Sequence, residues 1–392
     1  MEHIKVSFIG DIMCEKPFLC AAKTGGRYDF EGAFSGLKAL FEKSDYVIAN
    51  LETVCAGEEN QYTHELYSFN TPDSFISALR DCGIHFVSTA NNHCLDRGVA
   101  GMKRTLDVLD FYQIGHTGTY RTWEEALAPC VIDIGGLKIG LTAFTYGTNP
   151  NMNGVVLGED ERYLVDLLQR QTYTADTSIK GIIKGLVSVE TKTKIKKLLG
   201  RPYKIITVDD MPKNFDPDYL TKLAEKIGRI KEQADYTVCL LHCGGQFNAT
   251  PGEYSEYMMK FLQKQGVDSI IGNHPHNVQK SELKENGIVT YCLGNVSISP
   301  SSIYVPMENL PDYSIAVHMY IDKEEKRLKK ITASVLKIEE EPNGYLRILP
   351  VTEIYKTRKD RILLEHTKTV LECFEQKKIE HFTMQEEWDL PL

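Results

Sequence analysis

The chain has 392 residues, 42% hydrophobic and 25% charged, enough to bury a large core and unlike the composition of a disordered polymer. Its formal charge of -9 argues against nucleic acid as a main partner, and the one basic run, Lys192, Lys194, Lys196, Lys197, Arg201 and Lys204, reads as a solvated helix face. The first nine residues carry no long apolar core of signal-peptide type, no apolar run approaches the ~18 residues of a membrane span, and ten cysteines without a Cys-x-x-Cys pair fit reduced thiols, so a cytoplasmic protein with no membrane span is expected.

Short apolar runs at 4–9, 46–49 and 85–87 each end in polar residues and read as buried strands. Between them, 72–82 places Phe75, Ile76 and Leu79 on one helical face, with Thr71 as its expected cap, and 99–111 repeats the spacing with Met102, Leu106 and Leu109. Further strands are expected at 137–144, 236–241, 267–271 and 288–293, with a helix at 253–265. Alternating strands and helices predict an α/β fold, whose sites gather at the carboxyl ends of strands.

Two stretches break this rhythm. Residues 158–234 read as a mostly helical insertion that covers the site, within a main domain of 1–335. Alternation at 314–321 and 331–338 predicts antiparallel strands completing a second sheet. The extension 336–392 is expected to pack on that core or on an oligomer partner.

Candidate chemistry sits at the strand ends. Asp11 follows an apolar strand and Gly10, there read as permitting a sharp turn, while Glu52 closes Asn50-Leu51-Glu52. The segment 91–98 packs amide, imidazole and carboxylate together, and Asp96 is placed to orient His93. His242 follows a strand, and His274-Pro275-His276 has a metal-ligand spacing with the backbone restricted between the rings. Three imidazoles and two carboxylates from four strand ends suit one or two divalent cations, manganese, zinc or iron, with Glu52 able to bridge. Such a set supplies Lewis acidity and a nucleophile from water near neutral pH, and His93 is positioned to protonate a leaving oxygen. No serine elbow or nucleotide-binding Gly-rich loop is present.

The pieces 8–13, 50–52, 91–98, 241–244, 271–276 and 291–295, in this order, resemble those of the bacterial capsule-synthesis CapA (poly-γ-glutamate biosynthesis) proteins, a branch of the calcineurin-like metallophosphoesterases. The resemblance implies a metallophosphatase-like four-layer αββα sandwich with two mixed β-sheets. It places Asp11, Glu52, Asn92, His242, His274 and His276 as metal ligands, His93 as the acid supported by Asp96, and Asn50, Asn91 and Asn295 as substrate-binding amides. The implied partners are an anionic polymer or phosphorylated small molecule and other capsule-synthesis proteins, with a homo-oligomer also open.

Three departures accompany the resemblance. Met13 stands where the wider superfamily offers another ligand, 242–247 lacks the family's usual Trp, acid and phenol, and the membrane anchor of many members has no counterpart in the apolar pattern. A metal-dependent hydrolase of phosphoesters, or of amides or esters in an anionic polymer, and a non-catalytic assembly subunit keeping the fold both stay open; a purely structural role leaves the histidines without a purpose.

Overall fold

A computed structural model of the chain describes residues 3–171, 173, 191–192, 194–195, 209–212 and 215–391. The strands are β1 (His3–Ile12), a small ribbon of β2 (Lys23–Thr24) and β3 (Arg27–Tyr28), then β4 (Tyr46–Leu51), β5 (Phe86–Ser88), β6 (Gly115–Thr117), β7 (Val131–Ile134) and β8 (Leu137–Thr145). They continue with β9 (Tyr236–His242), β10 (Ser269–Asn273), β11 (Ser281–Lys284), β12 (Gly287–Thr290), β13 (Tyr313–Asp322), β14 (Arg327–Glu340), β15 (Leu346–Pro350) and β16 (Trp388–Leu390).

One sheet runs β15-β14-β13-β1-β4-β5-β6, with β16 also on β14, and the other runs β11-β12-β10-β9-β8-β7. Both are mixed. The first is parallel from β1 to β6 and antiparallel from β1 to β15. The second has a parallel centre with antiparallel β7 and β11 at its edges.

Alternation along the strands makes the layers. Ile4, Val6, Phe8 and Ile48 of the first sheet meet Leu141 and Leu240 of the second. On the opposite face of the first sheet, Val47, Ala49 and Leu51 pack with Phe75 and Leu79 of helix Asp73–Asp81 and Leu106 of helix Gly98–Phe111. On the outer face of the second, Cys239 and Leu241 pack with Leu223 and Ile227 of helix Pro217–Lys231 and Met258 of helix Glu253–Lys264. The result is the expected αββα sandwich, in which each buried large aliphatic side chain contributes about 1.5–3 kcal/mol of transfer free energy.

Several expectations shift in detail. Helix Asp73–Asp81 is preceded by Pro72 without a side-chain cap, because the Thr71 hydroxyl is 2.6 Å from that of Thr53. The range 158–234 contains helix Pro217–Lys231, the crossover between parallel β8 and β9, so its last part belongs to the sandwich. Residues 174–190, 193 and 196–208, with Lys196, Lys197, Arg201 and Lys204 of the basic run, lie outside the described residues. The boundary at 335/336 falls inside β14. Beyond it, helix Arg361–Glu375 lays Leu363, Val370 and Phe374 on the core, and β16 pairs with β14, so the extension docks on its own chain.

Beside that tail, His318 is wholly buried between Ser7 Oγ at 2.6 Å and Ser334 Oγ at 3.0 Å. Burial first, and the nearby Lys5 charge second, push its imidazole pKa down to about 3 from 6.5. The unfolded chain takes up this proton near 6.5 and the native one does not, so the stabilisation is full above 6.5 and is lost as pH falls toward 3. The slope from this group is about 1.4 kcal/mol per pH unit. Urea titrations between pH 6.5 and about pH 4 are expected to show a shallower decline in His318→Asn than in the wild type; identical slopes would rule out this role.

Candidate metal centre

Register brings the strand ends level. Asp11 stands opposite Asn50 across β1 and β4, and His242 stands opposite both Asn273 and Thr145 across the second sheet. The two sheets join where Asp11 N donates to Gly294 O at 3.0 Å and Val296 N donates to Asp11 O at 2.8 Å. Gly10 is required by this approach rather than by a turn: a Cβ there would lie 1.8 Å from Gly294 O. β1 therefore continues through Asp11 to Ile12, past the predicted end at residue 9.

Around this junction lie Asp11, Glu52, Asn92, His242, His274 and His276, all at most 1% exposed. Two sets of donor atoms gather within 4.8 Å, one from Glu52, His274 and His276 and one from Asp11, Glu52 and His242. Glu52 belongs to both. His274 Nδ1 is 3.1 Å from His242 Nε2, and Asn92 Oδ1 is 2.8 Å from the same nitrogen. The expected ligand positions therefore converge on one place.

The backbone that presents the histidines is strained. His274 has φ +101° and His276 φ +60°, a region that costs a β-carbon-bearing residue on the order of 1–3 kcal/mol. His274 N donates to Asp11 Oδ2 at 3.1 Å, which ties the strained loop to the first sheet.

Amides orient these side chains. Asn50 Nδ2 donates to Asp11 Oδ1 at 2.8 Å and lies 3.2 Å from His242 Nδ1. Asn295 accepts from His276 Nδ1 at 2.9 Å and donates to the His276 and Pro311 carbonyls, which leaves His276 Nε2 on the Glu52 side, 3.8 Å from Oε1. Asn91 donates to Leu51 O at 2.7 Å and accepts from His93 N at 3.1 Å. Substrate contacts are expected of these three amides; their hydrogen bonds also hold neighbouring side chains and loops in position.

Electrostatics follow from this packing. Burial disfavours charge on Asp11, but the hydrogen bond from His276 and the His242 charge outweigh it and lower its pKa. Burial, followed by the charges of His242 and His276, keeps His274 neutral, well below its ordinary range, which is the form that binds a cation. His276 is opposed by burial but pushed up to about 9 by the Glu52 charge and the Asp11 hydrogen bond.

Glu52 supplies the test of fit. Both its carboxylate oxygens are buried without a hydrogen-bond partner, a costly state for an ionised group unless a cation or ion pair answers it. Two carboxylates and three imidazoles are a donor set suited to divalent transition metals. The residues fit such ions.

At the rim, His93 Nδ1 and Asp96 Oδ2 are 2.7 Å apart, and the same oxygen accepts from Phe69 N at 2.6 Å. Burial works against charge on His93, and the Asp96 carboxylate overcomes it, raising the imidazole pKa. The Asp96 contact engages Nδ1 and leaves Nε2 on the other side of the ring. Met13 packs in the core instead, with its backbone on Ser297 Oγ, and Cys243, where the family usually has Trp, packs in the outer core of the second sheet.

Two neighbours of the site have no counterpart among the sequence motifs. Tyr146 lies with its ring 4.5 Å from that of His274, and it directly follows β8, so the strand-end rule applied to that strand would have found it. Phe69 lies with its ring tilted against that of His93, centroids 4.4 Å apart, from a loop with no sequence signal.

The family profile described as bacterial capsule synthesis protein PGA_cap matches residues 5–300. The capsule biosynthesis protein CapA of Bacillus anthracis is 22% identical over 298 residues, 75% of this chain and 59% of that protein. The PGA biosynthesis protein CapA of Bacillus subtilis (strain 168) is 24% identical over 295 residues, 74% and 62% respectively. The chain thus spans about three fifths of the length of these curated relatives. A Staphylococcus aureus structure assigned as a 5′-nucleotidase, solved with α-ketoglutarate, is 12% identical, covering 94% of this chain and 58% of that one at a TM-score of 0.45. With the profile running through all six strand-end motifs, this chain belongs to the PGA_cap family of bacterial capsule synthesis proteins.

Proposed function

We propose that the chain is a metal-dependent hydrolase of capsule or poly-γ-glutamate biosynthesis, acting on a phosphoester or on an amide or ester bond of an anionic polymer or its precursor. The observation that carries this is Glu52: wholly buried, without a hydrogen bond to either oxygen among the described residues, and common to both donor sets. Asp11, Glu52 and His242 would hold one divalent cation, and Glu52, His274 and His276 a second, with Asn92 beside His242. When bound, such cations supply Lewis acidity and lower the pKa of water.

The chain's own residues do the rest. Asn50, Asn91 and Asn295 fix the rings and carboxylates at low entropic cost. His93, whose pKa the Asp96 carboxylate raises against burial, would give its Nε2 proton to the leaving oxygen. Tyr146 and Phe69 wall the site and limit access of water to the imidazoles.

With bis(p-nitrophenyl) phosphate and added manganese or zinc, metal-dependent turnover is expected and should be abolished in Asp11→Ala and His274→Ala; full turnover in either variant would refute the assignment. The alternative, a non-catalytic assembly subunit retaining one structural cation, is favoured by Met13, which offers no ligand where the superfamily usually has one. That case predicts no turnover in the wild type, with a capsule protein co-purifying and staying bound after chelation.

A further inference from the structure

Helix Pro217–Lys231 and the segment 162–167 enclose a second cavity of roughly 230 Å³. None of its lining residues is a metal-centre ligand. Lys222, Lys226 and Arg229 fall at i, i+4 and i+7 on that helix and share one face. With Arg162 they make four cationic side chains against two acidic ones, Asp166 and Glu225, in a chain whose formal charge is -9.

Two of the cations are already engaged. Lys226 Nζ is 2.6 Å from both the Tyr120 hydroxyl and Asp166 Oδ2, and Arg162 pairs with Glu159 at 2.8 Å while lying 4.1 Å over the Tyr219 ring. Arg229 differs. Its Nε is buried with no hydrogen-bond partner, an omission that costs a polar donor about 1–3 kcal/mol. Planar guanidinium donors are met by carboxylate or phosphate oxygens, and exposed Lys222 stands one helical turn from Lys226 to share the charge.

The rim is apolar. Trp123 is 55% exposed and Leu127 43%, and Tyr163 meets Trp123 edge-on at 5.8 Å. A buried Arg229 Nε without a hydrogen bond among the described residues, its charge shared with Asp166, and the exposed Trp123 beside half-buried Tyr163 define a ligand with an anionic end and an apolar body. Backbone hydrogen bonds link the cavity to the wall of the candidate metal centre: Thr145, next to Tyr146, donates to Asp166 O at 3.0 Å and accepts from Leu168 N at 2.9 Å.

We propose that this cavity is a second binding site, which takes a small organic anion with its carboxylate or phosphate on Arg229 and Lys222 and its apolar part against Trp123 and Tyr163. The site stands whether or not the metal centre is catalytic. It can be read by fluorescence, because Trp388→Phe leaves Trp123 as the only tryptophan of the two.

The full chain carrying Trp388→Phe, treated with chelator to prevent turnover, is titrated with phenyl phosphate, phenylacetate and benzyl alcohol. A saturable change in Trp123 emission is expected with at least one of the two anions, the tighter one naming the anionic group, and none with benzyl alcohol. Arg229→Gln should weaken that binding about tenfold or more, while His274→Ala should leave it unchanged. No saturation by either anion, an equal response to benzyl alcohol, unaltered affinity in Arg229→Gln, or loss of binding in His274→Ala would each overturn the proposal. Should Arg229→Gln fail to fold, Lys222→Gln at the exposed position replaces it, with a severalfold weakening expected and unchanged affinity counting against the site.

Discussion

Glu52→Gln is expected to separate metal binding from folding. The wild-type carboxylate is buried with neither oxygen hydrogen-bonded, so its charge is answered within the centre, by bound cations or by the imidazole of His276. Removing that charge relieves a desolvation cost, and the metal-free variant should melt within a few degrees of the metal-free wild type. The cation response should differ sharply. At a cation concentration a hundredfold above its Kd the wild type gains about 2.7 kcal/mol, whereas the variant should gain less than about 1 kcal/mol. Turnover of a bis-phosphoester should fall on the order of a thousandfold, equivalent to about 4 kcal/mol of transition-state stabilisation. Melting curves with and without manganese measure the first part and single-turnover assays the second. A variant with the wild-type gain on adding metal would show that Glu52 is no ligand.

His93→Ala should behave in the opposite way, keeping metal and losing rate. His93 lies outside both donor sets, and its Nδ1 is taken by Asp96 at 2.7 Å, so its removal leaves the cations held and deletes the proton donor. A loss of about 10²–10⁴ in kcat is expected for a general acid. Asp96→Asn tests the same pair through pH. Asp96 raises the His93 pKa, and without that charge the imidazole deprotonates at lower pH, so the alkaline fall in rate should move to lower pH. An unshifted alkaline limb, or an unimpaired rate in His93→Ala, would remove His93 from the acid role.

Much of the fold and of the candidate metal centre is legible in the amino-acid sequence, for a physical reason. Strands buried on both faces read as continuous apolar runs, and in an α/β fold the residues just past them are presented together, which is why Asp11, Glu52, His242, His274 and His276 can be grouped from order alone. What the linear pattern hides is long-range. Gly10 reads as a turn glycine because its true constraint, the Gly294 carbonyl 1.8 Å from any Cβ, sits far along the chain. Asn50, Asn91 and Asn295 read as substrate amides from their motifs, and nothing in their neighbours reveals the hydrogen bonds that each makes to a site side chain or loop. The positive φ of His274 and His276 likewise has no signature in a His-Pro-His run. The tail is ambiguous between core and partner because amphipathic helices and short strands pair equally well with either; contacts such as β16 on β14 decide it.

Under the proposed function, the two donor sets that share Glu52 hold cations for hydrolysis. Elemental analysis of the wild-type chain purified without chelator, with bis-phosphoester turnover measured on the same sample, tests it most directly. About two transition-metal equivalents per chain, with turnover lost on chelation and restored by manganese or zinc, is the predicted result. No retained metal, and no turnover after either cation is added, would contradict it.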